Sequence, residues 1–330
     1  MLAVLLALAS AAGYGGSDYS GGLAARRAGV IRITILAQGV SAALMILILP
    51  LAGLRAPSAG SLAWGAAGGL SGAMGALALY AGFRSAAFSV AGPVSAIGSA
   101  GFSVLAGLLL GERPGGLAMI GMGLALPAII GVSASPGSAR PGRARSGRAE
   151  SGHLEPGHAE PGHAEPGHAE SGRTKSGHES QGEAGRAGSG HPAAGVAWGL
   201  AAGAGFAVLF IALNRASAAS GLWPVVASQA TALVAVACLG AATGEMRLPP
   251  RHASGLAALT GVTGAAGTVL YFYATHAGLL AVTAVLTSLY PAVTIVLARV
   301  FLGERLTMAR LAGLCLAAAS VGLIAAAGAG

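Results

Sequence analysis

The stretch "LLLGER" at residues 108–113 returns as "VFLGER" at 300–305, an offset of 192 (300 minus 108). The agreement extends well beyond these six residues. At the same offset, residues 61–125 align without gaps on 253–317. Gly69, Gly72 and Gly75 fall on Gly261, Gly264 and Gly267, and Gly121 falls on Gly313. A shared glycine register with a shared Gly-Glu-Arg does not follow from apolar composition alone, so the chain reads as an internal duplication. Further upstream the match is looser. Gly13-Tyr14 corresponds to Gly205-Phe206, and Gln38 corresponds to Gln229 one residue off the offset.

Composition says what is duplicated. The 330 residues are 54% hydrophobic and only 9% charged, against about 25% charged in a soluble globular chain. Apolar runs of about 20 residues, enough to cross a bilayer as helix, recur near 2–21, 33–53, 60–82, 86–110, 115–133, 195–213, 222–242, 254–275, 278–302 and 308–327. Helices are required because backbone groups in lipid must be satisfied internally. The 55 glycines suit close helix–helix approach in the membrane. The opening "MLAVLLALASAAGYGG" lacks a basic start and has a counterpart at 195–213, so it reads as a membrane helix and not a signal peptide. Cys238 and Cys315 both fall inside predicted helices, so no disulfide framework is expected. Ten spans make five per half, and an odd number inverts the second half relative to the first. The expectation is an all-α membrane protein of ten transmembrane helices in two inverted five-helix repeats, 1–134 and 193–330. A disordered low-complexity linker, 135–192, joins them.

That linker runs as a five-residue unit, with "PGHAE" three times in succession within "EPGHAEPGHAEPGHAE" at 155–170. Leu154 is its only large apolar side chain, too little to offset the entropy cost of folding. His153, His158, His163 and His168 are spaced by five. Imidazoles suit zinc, copper or nickel, but a strong site needs fixed geometry, which a Pro-Gly repeat does not provide. The segment therefore reads as a spacer, with a metal-binding loop as the alternative. A dedicated metal pathway would also carry ligands inside the helices. Only Asp18, the sole aspartate of the chain, lies within a predicted helix, with His276 just past the end of another.

Two five-helix halves, each with a fourth helix ending in Gly-Glu-Arg (Gly111-Glu112-Arg113; Gly303-Glu304-Arg305-Leu306-Thr307), resemble the EamA-type family of the drug/metabolite transporter superfamily. The opening "GYGGSDYSGGLAARR" at 13–27 is similar to the aromatic-glycine start of that superfamily. The resemblance covers both halves and excludes the linker. It implies ten helices around a central cavity, export or exchange of small metabolites, and both termini on the cytoplasmic side. The Arg distribution points the other way. Arg26, Arg27, Arg32, Arg84, Arg247, Arg251, Arg305 and Arg310 share one side, against Arg55, Arg113 and Arg215 on the other, which puts the termini outside. Glu112 and Glu304 are expected to pair with Arg113 and Arg305, or to cap the helix that follows each, with a gating role as the alternative.

Polar residues at lipid depth are costly and are therefore candidates for a site. Thr283, Thr287, Tyr290 and Thr294 form one stripe on the predicted ninth helix, which Pro291 interrupts. Thr260, Gly264, Gly267, Tyr271 and Thr275 form another on the eighth, and Thr34, Gln38 and Ser41 share a face of the second. Tyr14, Ser17 and Asp18 share a face of the first. With Gln229, the candidates for substrate binding or coupling are Tyr14, Ser17, Asp18, Gln38, Gln229, Tyr271, Thr275, Thr283, Thr287 and Tyr290. Hydroxyls that bond their own helix carbonyls would serve packing instead. The sequence carries no Walker A motif, nucleophile–base constellation or His-Glu-x-x-His. No enzymatic activity, cofactor, metal site in the helices or nucleic-acid partner is expected. The resulting expectation is a multi-pass protein of the cell membrane, with lipid and a small-molecule solute as partners. It would act as a secondary transporter working by alternating access. A divalent-metal transporter using the His-rich linker, or a membrane scaffold without transport, is the alternative.

Overall fold

Glycines of the Gly-Glu-Arg pair end helices in this fold. A computed structural model of the chain describes residues 1–25, 27–52, 56–85, 88–133, 192–303 and 307–327. The linker repeats, Glu304 and Arg305 lie outside the described residues. Helix α4 (Phe88–Leu109) stops just before Gly111, which has φ 90°, and α10 (Tyr290–Leu302) stops at Gly303, which has φ 66°. A left-handed residue ends a helix by turning the chain away, and glycine adopts it without steric cost.

The other helices are α1 (Leu2–Ala25), α2 (Val30–Ile48), α3 (Ala59–Ser85), α5 (Gly116–Ser133), α6 (Pro192–Arg215), α7 (Trp223–Ala242), α8 (Arg251–Ala277), α9 (Leu280–Thr287) and α11 (Met308–Ala327). No strand occurs among the described residues. The predicted ninth helix is thus two pieces, α9 and α10, broken at Ser288-Leu289. Pro291 has no N–H to offer the Thr287 carbonyl, and its fixed φ suits the first turn of a new helix. The two pieces together make one membrane-length segment, Leu280–Phe301.

Nine of the described segments are long and apolar enough to cross a membrane, where ten were expected. The exception is α1. Its 24 residues span about 36 Å at 1.5 Å per residue, but "GYGGSDYSGG" at 13–22 dilutes its apolar character. The helix also continues to Ala25, which places Asp18 well inside it rather than near its end. His276, likewise, belongs to the last turn of α8 and not to the loop beyond. Its ring nitrogens lie 2.7 Å from the carbonyls of Phe272 and Ala216.

The helices form one compact unit, with small residues inside and large ones outside. The buried set is dominated by Ala, Ser and Thr, while Leu5, Leu47, Leu109, Ile120, Val234 and Phe301 are exposed. That distribution fits a lipid solvent, in which helix association relies on close van der Waals packing rather than on burial of large apolar groups.

The packing repeats itself. Helix α1 lies on α8 as α3 lies on α6; α2 meets α8 as α7 meets α3; α1 meets the α9–α10 pair as α6 meets α4; α5 meets α11. The closest crossings correspond atom for atom. A Cβ on Gly13 would meet Gly267 and the Thr263 carbonyl, and one on Gly205 would meet Gly75 and the Ser71 carbonyl. Gly69 packs on the Ser228 carbonyl and Gly261 on that of Ala37. Gly121 faces Ser320 and Ile324, and its counterpart Gly313 faces Ala128 and Val132.

Candidate functional site

The crossings of α1 with α8 and of α3 with α6 leave a cavity of about 160 Å³ between them, bounded also by α2, α7 and the start of α10. Its walls differ in character. Helix α1 presents Tyr14, Ser17 and Asp18, α8 presents Thr260 and Thr268, and α10 presents Tyr290. Facing these are Phe206, Leu209 and Phe210 of α6 and the small residues Gly68, Gly69, Gly72, Ala73 and Ala76 of α3. Between the two walls stand Thr34, Gln38 and Ser41 of α2 with Ser228 and Gln229 of α7.

Hydrogen bonding divides the polar lining into two groups. Most of the hydroxyls bond to the helices themselves. Ser17 donates to the Thr260 carbonyl at 3.1 Å and Ser41 to that of Gly261 at 2.7 Å. Thr34, Thr260 and Thr268 donate at 2.9 Å to carbonyls one turn back, at Val30, Leu256 and Gly264. The Tyr14 hydroxyl lies 3.1 Å from that of Thr268. The Tyr290 hydroxyl has no hydrogen-bond partner although its ring is buried. Among the described residues, nothing bonds to the side chains of Asp18, which is exposed, or of Gln38, Ser228 or Gln229 either. One carboxylate, two carboxamides, one phenol and one further hydroxyl are thus left with unused hydrogen-bonding capacity around a single space. Unused polar capacity is costly in a protein interior unless water or a ligand meets it.

The other candidate residues sit elsewhere. Tyr271 is fully buried, stacks on Phe210 with ring centroids 4.3 Å apart, and donates to the Phe210 carbonyl. Thr275 accepts from the Asn214 amide at 2.9 Å. Thr283 bonds the Leu279 carbonyl at 2.9 Å, and Thr287 donates to that of Ala7 at 3.4 Å. Thr294 ties α10 to the Gly15 carbonyl at 3.1 Å. Thr283 bonds within the start of its own helix and the others join helices; among the described residues, only Tyr290 of that ninth-helix stripe reaches the cavity. Phe206, Phe210 and Thr268 line it without having been singled out from the sequence. The aromatic pair had a signal, because it occupies the register positions of Tyr14 and Asp18 in the other half (206 minus 192; 210 minus 192).

Glu112 also differs from expectation. Its carboxylate accepts from the backbone N–H groups of Leu280 and Ala281, at 2.5 and 2.9 Å. It therefore caps α9 and not the following helix α5, and Arg113 is exposed. A carboxylate at the N-terminus of α9 meets two unsatisfied amides and the positive end of the helix dipole. The motif thus fastens the end of α4 to the broken span. Among the described residues no three His, Cys, Asp or Glu side chains gather as metal ligands would.

Residues 193–326 match the model of the EamA-like transporter family. The match lies in the second half of the chain, from the start of α6 to the end of α11. The nine membrane-length segments make the chain a multi-pass membrane protein, similar over this half to EamA-like transporters. No curated protein matches the chain. The chain also shares its fold with a protein of known crystal structure. The TM-score is 0.66 at 15% identity, over 96% of this chain and 98% of the other.

Proposed function

We propose that the chain is a secondary transporter that moves a small metabolite or drug-like solute by alternating access, as an exporter or exchanger, with the central cavity as its binding site. The observation that carries this reading is the set of unpartnered groups, Asp18, Gln38, Gln229 and Tyr290, around one space. They come from both halves of the chain, as a site at a repeat interface requires. The matched pairs of helix crossings support a reading of 1–134 and 193–330 as two inverted five-helix repeats. Two similar bodies of opposite orientation can exchange conformations, which opens the shared cavity to one side and then the other. The linker 135–192 acts as a tether in this scheme.

The test has two stages. Metabolite profiles of cells with and without the chain nominate solutes, and flux of each is then measured in vesicles containing the purified protein. Saturable flux that falls in Asp18→Asn, with the protein still folded, is the expected result. Absence of saturable flux for every nominated solute would leave a membrane scaffold as the better reading.

A further inference from the structure

We infer that the solute is an amphiphilic organic cation, with an ammonium group held by Asp18 and a ring-bearing apolar body laid against Phe206 and Phe210. This deepens the transport reading and rests on it. The first argument is charge. Among the described residues, Asp18 is the only ionisable acid or base lining the cavity apart from the tyrosine phenols, and no Lys, Arg or His lines it. The Asp18 carboxylate is exposed, bonds to nothing among the described residues, and sits within a helix of the membrane bundle, where an unpaired charge is costly. A cation entering the cavity would remove that cost, whereas an anion would add to it.

The second argument is the duplication. At the offset of 192, Tyr14, Ser17 and Asp18 fall on Phe206, Leu209 and Phe210. All six line the same space, so at these three positions the first half supplies polar side chains and the second half apolar ones. A solute that uses both walls must itself have two ends. Phe210 is fixed by its stacking on Tyr271, and its centroid lies 6.2 Å from that of Tyr14, so aromatic surface runs from one wall to the other. Tyr14 and Tyr290 add ring faces that attract an ammonium group. The third argument concerns what is missing from the lining. The carboxylate of a zwitterion would find no basic partner there, so a free amino acid fits worse than the corresponding amine.

Binding to the full chain in detergent micelles, measured by titration calorimetry, tests this with four probes: 2-phenylethylammonium, ethylammonium, 3-phenylpropanoate and phenylalanine. The expected order has 2-phenylethylammonium tightest. The propanoate and phenylalanine should be weaker by about 10-fold or more, the loss of a charge-assisted hydrogen bond or the gain of a like charge. Asp18→Asn should weaken 2-phenylethylammonium by a similar factor, and Asp18→Glu should retain the preference for cations. Phe210→Leu should narrow the gap between 2-phenylethylammonium and ethylammonium. Equal or tighter binding of the propanoate or phenylalanine, no binding of either amine, or an unchanged affinity in Asp18→Asn would each overturn the proposal. Micelle binding reports the solute class and vesicle flux reports transport, so either reading can fail without the other.

Discussion

Replacing Gly13 with alanine tests whether the crossings that frame the cavity have the tightness described. A Cβ at this position would lie 2.7 Å from the Gly267 nitrogen, 2.8 Å from the Gly267 Cα and 2.9 Å from the Thr263 carbonyl oxygen. All three are backbone atoms, so no side-chain rotation relieves the contact. Ordinary van der Waals contact begins at 3.4 Å, so α1 and α8 must part by about 0.7 Å (3.4 minus 2.7) along this line. Overpacking of this kind costs about 1–3 kcal/mol. Alanine also has a higher helix propensity than glycine, by about 1 kcal/mol, which masks part of the loss. Gly39→Ala removes that ambiguity, because Gly39 lies within α2 and a Cβ there meets nothing within 4 Å. The informative quantity is the difference between the two variants. Unfolding by SDS, followed through fluorescence of Trp64, Trp198 and Trp223, should show Gly13→Ala less stable than Gly39→Ala by about 1–3 kcal/mol. Gly205→Ala should show the same deficit, because its Cβ would lie 2.7 Å from the Ser71 carbonyl oxygen and 2.8 Å from the Gly75 Cα. A Gly13→Ala protein as stable as Gly39→Ala would refute the packing argument. A large deficit at Gly13 with none at Gly205 would refute the equivalence of the two crossings.

Glu112→Gln keeps one acceptor for the α9 amides but loses the charge, and should lower stability by about 1–2 kcal/mol in the same assay; Arg113→Gln, on an exposed side chain, should cost less. Thr287→Val removes a buried packing bond to Ala7, so stability should fall while apparent solute affinity in vesicle uptake stays constant. Tyr290→Phe removes a hydroxyl with no partner in the protein, so stability should hold while affinity falls by ~2–10-fold. Deletion of 141–185 should leave membrane insertion and flux unchanged, because the repeat is too poor in apolar side chains to build a packed element. Loss of flux on deletion, restored by a zinc-binding substitute, would revive the metal-loop alternative.

The sequence alone specified the helical, membrane-embedded character of the chain, since runs of apolar residues this long permit no other backbone arrangement in lipid. It also specified the duplication, and with it the glycines that meet at the crossings, because close approach of two helices leaves no room for a Cβ and so marks the chain at fixed positions. Even the one-residue slip between Gln38 and Gln229 was legible. It recurs in the packing, where Gly69 and Gly261 differ by 192 but their partners Ser228 and Ala37 differ by 191.

Tertiary structure decided which polar stripes face the cavity. In a soluble helix the apolar face announces the core, but a membrane helix is apolar all round, so its periodicity does not say which side faces inward. Ser and Thr compound the ambiguity, because each can satisfy itself on its own helix and sit equally well in packing or at a cavity wall. Thr283 and Thr260 look alike in sequence, yet only Thr260 lines the cavity. The partner of Glu112 was equally out of reach. The α9 amides it caps are 168 and 169 residues away in the chain. No local pattern records that contact, because it arises only when the end of α4 is brought against the start of the broken span.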